Sequence, residues 1–225
     1  MKQLLTFLLA LITLPCIGQN KEAPAPDYGG LNRYKSANAK LDVNVDGRVV
    51  LLGNSITDAW AVRDAAFFED NNLVGRGISG QTSPQLLVRF RQDVIDLKPA
   101  TVIIHIGTND IAENTGPYDQ AFTLGNIESM IDLAEKNGIE AIVASVLPAT
   151  QFGWRPKLGD RSAEIVALNE ALKTLAKDRG LTYIDYHSAL KNDRNGMDAD
   201  LAKDGVHPTM KAYAIMGKLV LEALR

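Results

Sequence analysis

The chain reads as an α/β domain built on a five-stranded parallel sheet with helices on both faces, and three observations lead there. From residue 49 onward, short apolar runs rich in branched residues alternate with longer amphipathic stretches, the pattern of βαβ units. The runs end in polar, glycine-bearing turns, which in a parallel sheet would gather at one edge. No internal repeat or low-complexity tract breaks the alternation.

The predicted strands are Val49–Leu52, Leu73–Val74, Val102–Ile106, Ala141–Val146 and Leu181–Ile184. Between them, Leu87, Phe90, Val94 and Leu97 form an apolar stripe after Ser83 as N-cap and Pro84 in the first turn. Ile127, Met130, Ile131 and Ala134 form a second stripe, closed by Gly138. A third, Ile165, Leu168, Leu172 and Leu175, stops at Gly180, and Ala212, Ile215, Leu219 and Ala223 predict the last helix. With 46% apolar residues in a chain of 225, one substantial core is expected, in a single domain spanning residues 47–225.

Two segments precede that domain. Lys2, the apolar run Leu4 to Leu14 and the small residues around Cys16-Ile17-Gly18 predict a signal peptide, residues 1–18, with cleavage after Gly18. The run is too short to span a bilayer, so no transmembrane segment is expected. Cys16 is the chain's one cysteine, so the mature protein would hold no disulfide; the rival reading makes Cys16 a lipidated anchor. Residues 19–46 read as a polar linker or arm, in which Leu31, Tyr34, Ala37 and Leu41 predict one short helix without a catalytic part. A formal net charge of −3, or −4 once Lys2 is removed, with no basic run, argues against nucleic acid as a partner.

Four polar blocks carry the candidate chemistry: Gly53-Asn54-Ser55, Gly77-Ile78-Ser79-Gly80-Gln81, Gly107-Thr108-Asn109-Asp110 and Asp204-Gly205-Val206-His207-Pro208. Each alone has an ordinary explanation: Ser55 as a helix cap, Gly80 as a turn, Asn109 as a local turn former, His207 as a packed or solvated side chain. Together they supply what ester chemistry needs. A serine hydroxyl must pass its proton to a base as it attacks, and an imidazole titrating near neutrality can take that proton and return it. Asp204, three residues before His207, is spaced to hold the other ring nitrogen. The backbone N–H groups of Ser55 and Gly80 and the Asn109 amide are candidate donors to the developing oxyanion.

These blocks, in this order across roughly Arg48 to Arg225, resemble those of the SGNH hydrolases, the GDSL-like lipase/acylhydrolase family. The resemblance implies a flavodoxin-like, three-layer α/β/α fold and cofactor-free, metal-free ester hydrolysis through an acyl-serine. It implies Ser55 as nucleophile, Asp204 and His207 as its partners, and Ser55, Gly80 and Asn109 as the oxyanion hole. Asn54 departs from the aspartate usual in the family.

Competing motifs fit less well. Gly75-Arg76-Gly77-Ile78-Ser79-Gly80 has dinucleotide-type glycine spacing but follows the second strand, with no helix start at once behind it. A Gly-x-Ser-x-Gly elbow is absent. His105 lies inside a strand and His187 follows another, an arrangement that does not suggest a metal site. The long irregular stretch Pro148 to Asp160 leaves the fourth strand beside the expected site and carries Trp154 and Arg155, which with Asn54 are candidate substrate contacts. The expected substrate is a small acyl ester, such as acetyl, of a carbohydrate or other polar alcohol. The alternatives are a lysophospholipase or thioesterase of the same family and a non-catalytic glycan-binding module.

Overall fold

The computed structural model describes residues 26–225, so the signal-peptide expectation lies outside the described residues. In chain order the elements are α1 (Lys35–Lys40), β1 (Val49–Gly53), α2 (Ser55–Arg63), α3 (Ala65–Asp70), β2 (Leu73–Gly77), α4 (Ser83–Asp93) and β3 (Thr101–His105). There follow α5 (Thr108–Ile111), α6 (Gln120–Lys136), β4 (Glu140–Ala144), α7 (Ser162–Arg179), β5 (Thr182–Ile184), α8 (Tyr186–Leu190) and α9 (Met210–Ala223). The five strands are all parallel in the order β2-β1-β3-β4-β5, the flavodoxin-like arrangement, with layers of helix on either side.

The two faces follow from the two-residue period of a strand. Val50, Leu52, Val102, Ile104 and Val143 point to one side and pack with Leu86 and Phe90 of α4, Ile127 and Met130 of α6, and Ile165 and Leu168 of α7. Val49, Leu51, Ile103, Ile142 and Ile184 point to the other, against Trp60 of α2, Phe68 of α3, Tyr186 of α8 and Tyr213 and Met216 of α9. A sheet buried on both faces explains why its strands read as continuous apolar runs rather than alternating ones.

Several expectations are corrected in detail. The fourth strand stops at Ala144 rather than Val146, because the backbone N–H and carbonyl of Val146 bond the side-chain amide of Asn169 in α7. The N-cap of α4 is Thr82, not Ser83: the Thr82 N–H donates to Gln85 Oε1 at 3.0 Å, while the Ser83 N–H and hydroxyl donate to Asp110. Leu86, not Leu87, lies at the centre of that helix's apolar stripe. In α9 the buried line runs through Tyr213, Met216 and Val220, with Ile215, Leu219 and Ala223 at its edge. Tyr213 is drawn inward because it stacks on Trp60 and its hydroxyl donates to the Ile56 carbonyl. The predicted arm helix is α1 alone, with Tyr34 as its N-cap; Tyr34 and Asn38 make the contacts to the domain, and Leu31 and Ala37 are exposed.

His105 sits at the end of β3 with its ring edge-on to Tyr186, and its Nε2 has no partner. Burial disfavours the imidazolium, so its pKa is pushed down from 6.5 to about 4. The unfolded chain therefore binds a proton that the folded chain refuses between these values. Stability is full above about pH 6.5 and declines as pH falls toward 4, by on the order of 3 kcal/mol from this group. His187, lowered by burial and then by Lys191, acts in the same direction. Urea unfolding at pH 7 and pH 5 should show the decline, and His105→Phe should remove most of it, whatever that variant's stability at pH 7.

Candidate active site

Parallel pairing places Gly53, Gly77 and His105, the last residues of β1, β2 and β3, abreast. The turns that follow hold Ser55, Gly80 and Asn109, at the point where the strand order reverses. Close approach of α2 requires one glycine there: a Cβ on Gly77 would lie 2.2 Å from the Asp58 nitrogen and 2.5 Å from the Asn54 oxygen. Packing of the helix against the strand thus explains a glycine that a dinucleotide motif would otherwise claim.

Ser55 is the first residue of α2, and Asn54 is its cap, accepting from the Ile56 N–H at 3.0 Å. Asn54 thereby does the work that the ordinary reading gave to Ser55. Its side chain is 1% exposed, with its oxygen engaged by the helix. The Ser55 hydroxyl is left to meet His207 Nε2, at 2.9 Å across 152 positions of sequence.

His207 is set by a tight local turn. Gly205 takes φ +77°, a left-handed conformation open to glycine, and Asp204 Oδ1 accepts from the backbone N–H groups of Val206 (3.0 Å) and His207 (2.7 Å). Asp204 Oδ2 meets His207 Nδ1 at 2.7 Å. Partial burial works against this carboxylate's charge, but the His207 N–H, its ring and the Val206 N–H outweigh it, and Asp204 titrates below the usual value. An ionised carboxylate only accepts hydrogen bonds, so the neutral imidazole carries its proton on Nδ1 and offers the Nε2 lone pair to the Ser55 O–H. The Asp204 side chain is 56% exposed, so water screens its charge, and holding the ring's orientation and tautomer is its larger effect.

Gly80 has φ +80°, and nothing lies within 4 Å of where a Cβ would stand. The backbone conformation therefore requires glycine here without any neighbour enforcing it. Asn109 is buried, and its amide donates to the Gln81 carbonyl at 2.9 Å, tying the turn after β3 to the turn after β2. The other N–H of that amide group remains available to a ligand.

The long loop after β4 is pinned by Phe152, which has no exposed surface, and it presents Trp154, 42% exposed with its ring centroid 6.0 Å from that of His207. Trp154 Nε1 donates to Asn114 Oδ1 at 2.9 Å, and Asn114 Nδ2 donates to the Gly80 carbonyl at 3.0 Å. Arg155, beside Trp154, donates from its guanidinium to the Glu113 carbonyl at 3.2 Å. Together with Glu113 and residues 156–158, these two line a cleft of about 320 Å³.

Sequence reasoning misses Asn114 and gives no role to Gln81 and Asp110, although both lie within the polar blocks. Asp110 carried the one available signal, an acidic residue next to Asn109 in an apolar setting. Burial raises its pKa, and Ser83 opposes that by donating both its N–H and its hydroxyl. Among the described residues no group of three or more His, Cys, Asp and Glu side chains is disposed to hold a metal ion, and no helix is long and apolar enough to cross a membrane.

Comparison with known proteins agrees with the fold and with the family resemblance. A model of the GDSL-like lipase/acylhydrolase family matches residues 51–215. Among solved structures the chain is similar to a GDSL-like lipase of Bacteroides thetaiotaomicron, at 44% identity and a TM-score of 0.86, covering 88% of this chain and 98% of that one. In sequence it is 25% identical over 214 residues to an acetylxylan esterase of Xylanibacter ruminicola, covering 79% of this chain and 43% of that one. The chain thus spans less than half the length of that relative. It is 26% identical over 162 residues to an acetylxylan esterase of Geobacillus stearothermophilus, covering 68% and 71% respectively.

If the Asn54 side chain serves the helix, Asn54→Ala should lower stability by about 1 kcal/mol, whereas Asn54→Asp, which keeps an acceptor in place, should lose much less. Urea titration of the two variants compares them.

Proposed function

Because the chain belongs to the GDSL-like lipase/acylhydrolase family, we propose that it is an exported serine esterase that removes small acyl groups, acetyl foremost, from a carbohydrate or other polar alcohol. One observation carries the catalytic part: Ser55 Oγ, His207 and Asp204 form a continuous hydrogen-bonded chain, with contacts of 2.9 and 2.7 Å. The polar-alcohol part is supported by the acetylxylan esterases among the relatives and by the exposed Trp154 ring beside His207, a surface on which a sugar can stack. Export is supported by the leader pattern of residues 1–18.

The proposed reaction follows from the proton positions. The Ser55 hydroxyl attacks the ester carbonyl carbon while His207 Nε2 takes its proton; the imidazolium so formed is held by Asp204 through Nδ1–H. The carbonyl oxygen, now negative, is met by the Ser55 N–H, which as the first of a helix has no intrahelical acceptor, and by the Gly80 N–H and the Asn109 amide. Nε2–H then protonates the leaving alcohol, and the acyl-serine remains. Water, deprotonated by the same nitrogen, releases the acid and restores the hydroxyl. The base and the anion-stabilising groups are side chains and backbone of this chain.

Purified protein should hydrolyse nitrophenyl acetate, and Ser55→Ala should abolish turnover with the circular dichroism spectrum unchanged; activity surviving in that variant would contradict the assignment. Longer acyl chains should be poorer substrates than acetyl, and acetylated xylo-oligosaccharides should be hydrolysed.

The lowered pKa of Asp204 keeps its carboxylate charged through the weakly acidic range, so its hold on the His207 ring persists there. Asp204→Asn should reduce kcat more than it raises KM.

A further inference from the structure

Three groups of α4 and its neighbours are buried, polar and absent from the reaction above: Arg89, Asp93 and Gln81. Arg89 and Asp93 are wholly inaccessible, and the guanidinium bonds three partners. Its Nη1 donates to Asp93 Oδ2 at 3.0 Å, its Nη2 to the Gly53 carbonyl at 2.9 Å, and its Nε to Gln81 Oε1 at 2.7 Å. Gly53 is the last residue of β1, two before Ser55; Gln81 directly follows Gly80, and its carbonyl receives the Asn109 amide. One rigid planar cation therefore reaches the turn that carries Ser55 and the turn that carries Gly80, and through Gln81 it reaches Asn109.

The arm before the domain completes this frame. The Gly29 carbonyl accepts from Gln81 Nε2 at 2.9 Å, and Asn38 Nδ2 donates to Asp93 Oδ1 at 2.8 Å. Asn38 Oδ1 in turn accepts from Arg76 Nε at 2.8 Å, and the Tyr34 hydroxyl donates to the Gly77 carbonyl. The carbonyls of Tyr28 and Leu31 accept from Gln85 and Gln92 of α4. Gln81 has two polar ends: Arg89 holds one and the arm holds the other. A buried ion pair is often no more stabilising than an apolar pair of the same volume, so the geometry it imposes is its more informative effect.

We propose that Gln81 is a positioning residue for the anion-stabilising turn, and that residues 26–41, through Gly29 and Asn38, are a working part of the active site rather than an inert leader to the domain. This rests on the esterase reading above. The role is indirect: Gln81 holds the Gly80 N–H and the Asn109 amide where the oxyanion forms, and small displacements there are costly in rate. It gives the arm a part that the sequence alone does not suggest.

The test uses the full chain with Gln81→Met, which keeps the volume and removes both hydrogen bonds. With nitrophenyl acetate, kcat should fall about 10- to 100-fold with KM within about twofold. Binding of a trifluoromethyl ketone, which forms a tetrahedral adduct and so needs the anion-stabilising donors, should weaken by the same factor. Leu86→Ala, a core cavity variant, should lose stability but keep kcat, separating positioning from general weakening. If Gln81→Met does not fold, Asn38→Ser, at the half-buried end of the frame, should lower kcat about 3- to 10-fold in the same pattern. A folded Gln81→Met with unchanged kcat and ketone affinity, or a loss appearing in KM alone or matched by Leu86→Ala, would overturn the proposal. Wild-type protein inert toward all esters would instead overturn the esterase reading.

Discussion

The pairing of β1 with β2 on one side and β3 on the other governs everything at the site. Because the sheet reverses direction of growth at β1, the turns after three strands open at one edge with Gly53, Gly77 and His105 in a row. Ser55, Gly80 and Asn109 are separated by tens of residues in sequence, and parallel register makes them neighbours in space. The apolar layers on both faces keep that register fixed, since a slip by one residue would turn each strand's buried set to the wrong layer. His207 arrives from the far end of the chain on a loop shaped by Gly205 and closed by the Asp204 carboxylate.

Below this row lies a polar layer that the hydrophobic account of the fold does not explain. Arg89 and Asp93 carry charges where no surface is accessible, and apart from each other and the adjacent Gln92 of α4 their partners are turns of the site and a residue of the arm. Isolated charges there would cost far more than the pair returns, so the arm, the turns and α4 must assemble together. The same argument applies to Asp110, whose carboxyl is kept buried by Ser83 and so joins the start of α4 to the turn holding Asn109. The nucleophile turn and the two donor turns are thereby cross-linked by side chains rather than left as independent loops.

Much of this was legible from residues alone. Four of the strands are legible to within one or two positions because a sheet buried on both faces writes itself as apolar runs; the second runs three residues past Val74, through Gly75-Arg76-Gly77, where no apolar run marks it. The four polar blocks stood out because each followed such a run or preceded the last helix. Helix details were less legible: Leu86 and Leu87 are indistinguishable by type, and Tyr213 was passed over because its burial depends on Trp60, 153 positions away. Arg89 and Asp93, spaced four apart, have the pattern of an exposed helix ion pair, and only partners distant in sequence reveal that they are inside. Ser55 reads as a cap by residue type, and that Asn54 caps the helix while Ser55 meets His207 becomes visible only in the fold. Arg155 and Trp154, adjacent in sequence, part company for the same reason: one finds the Glu113 carbonyl and the other finds His207.

The account stands on Ser55 being made reactive by a histidine that is remote in sequence and adjacent in the fold. Intact-mass spectrometry after exposure to a fluorophosphonate reads this directly, because the reagent captures an activated serine without reference to any natural substrate. The account predicts a single adduct, mapped by proteolysis to Ser55, with labelling slowed by orders of magnitude in His207→Ala. An esterase-active preparation that forms no adduct, or forms it on another residue, would contradict it.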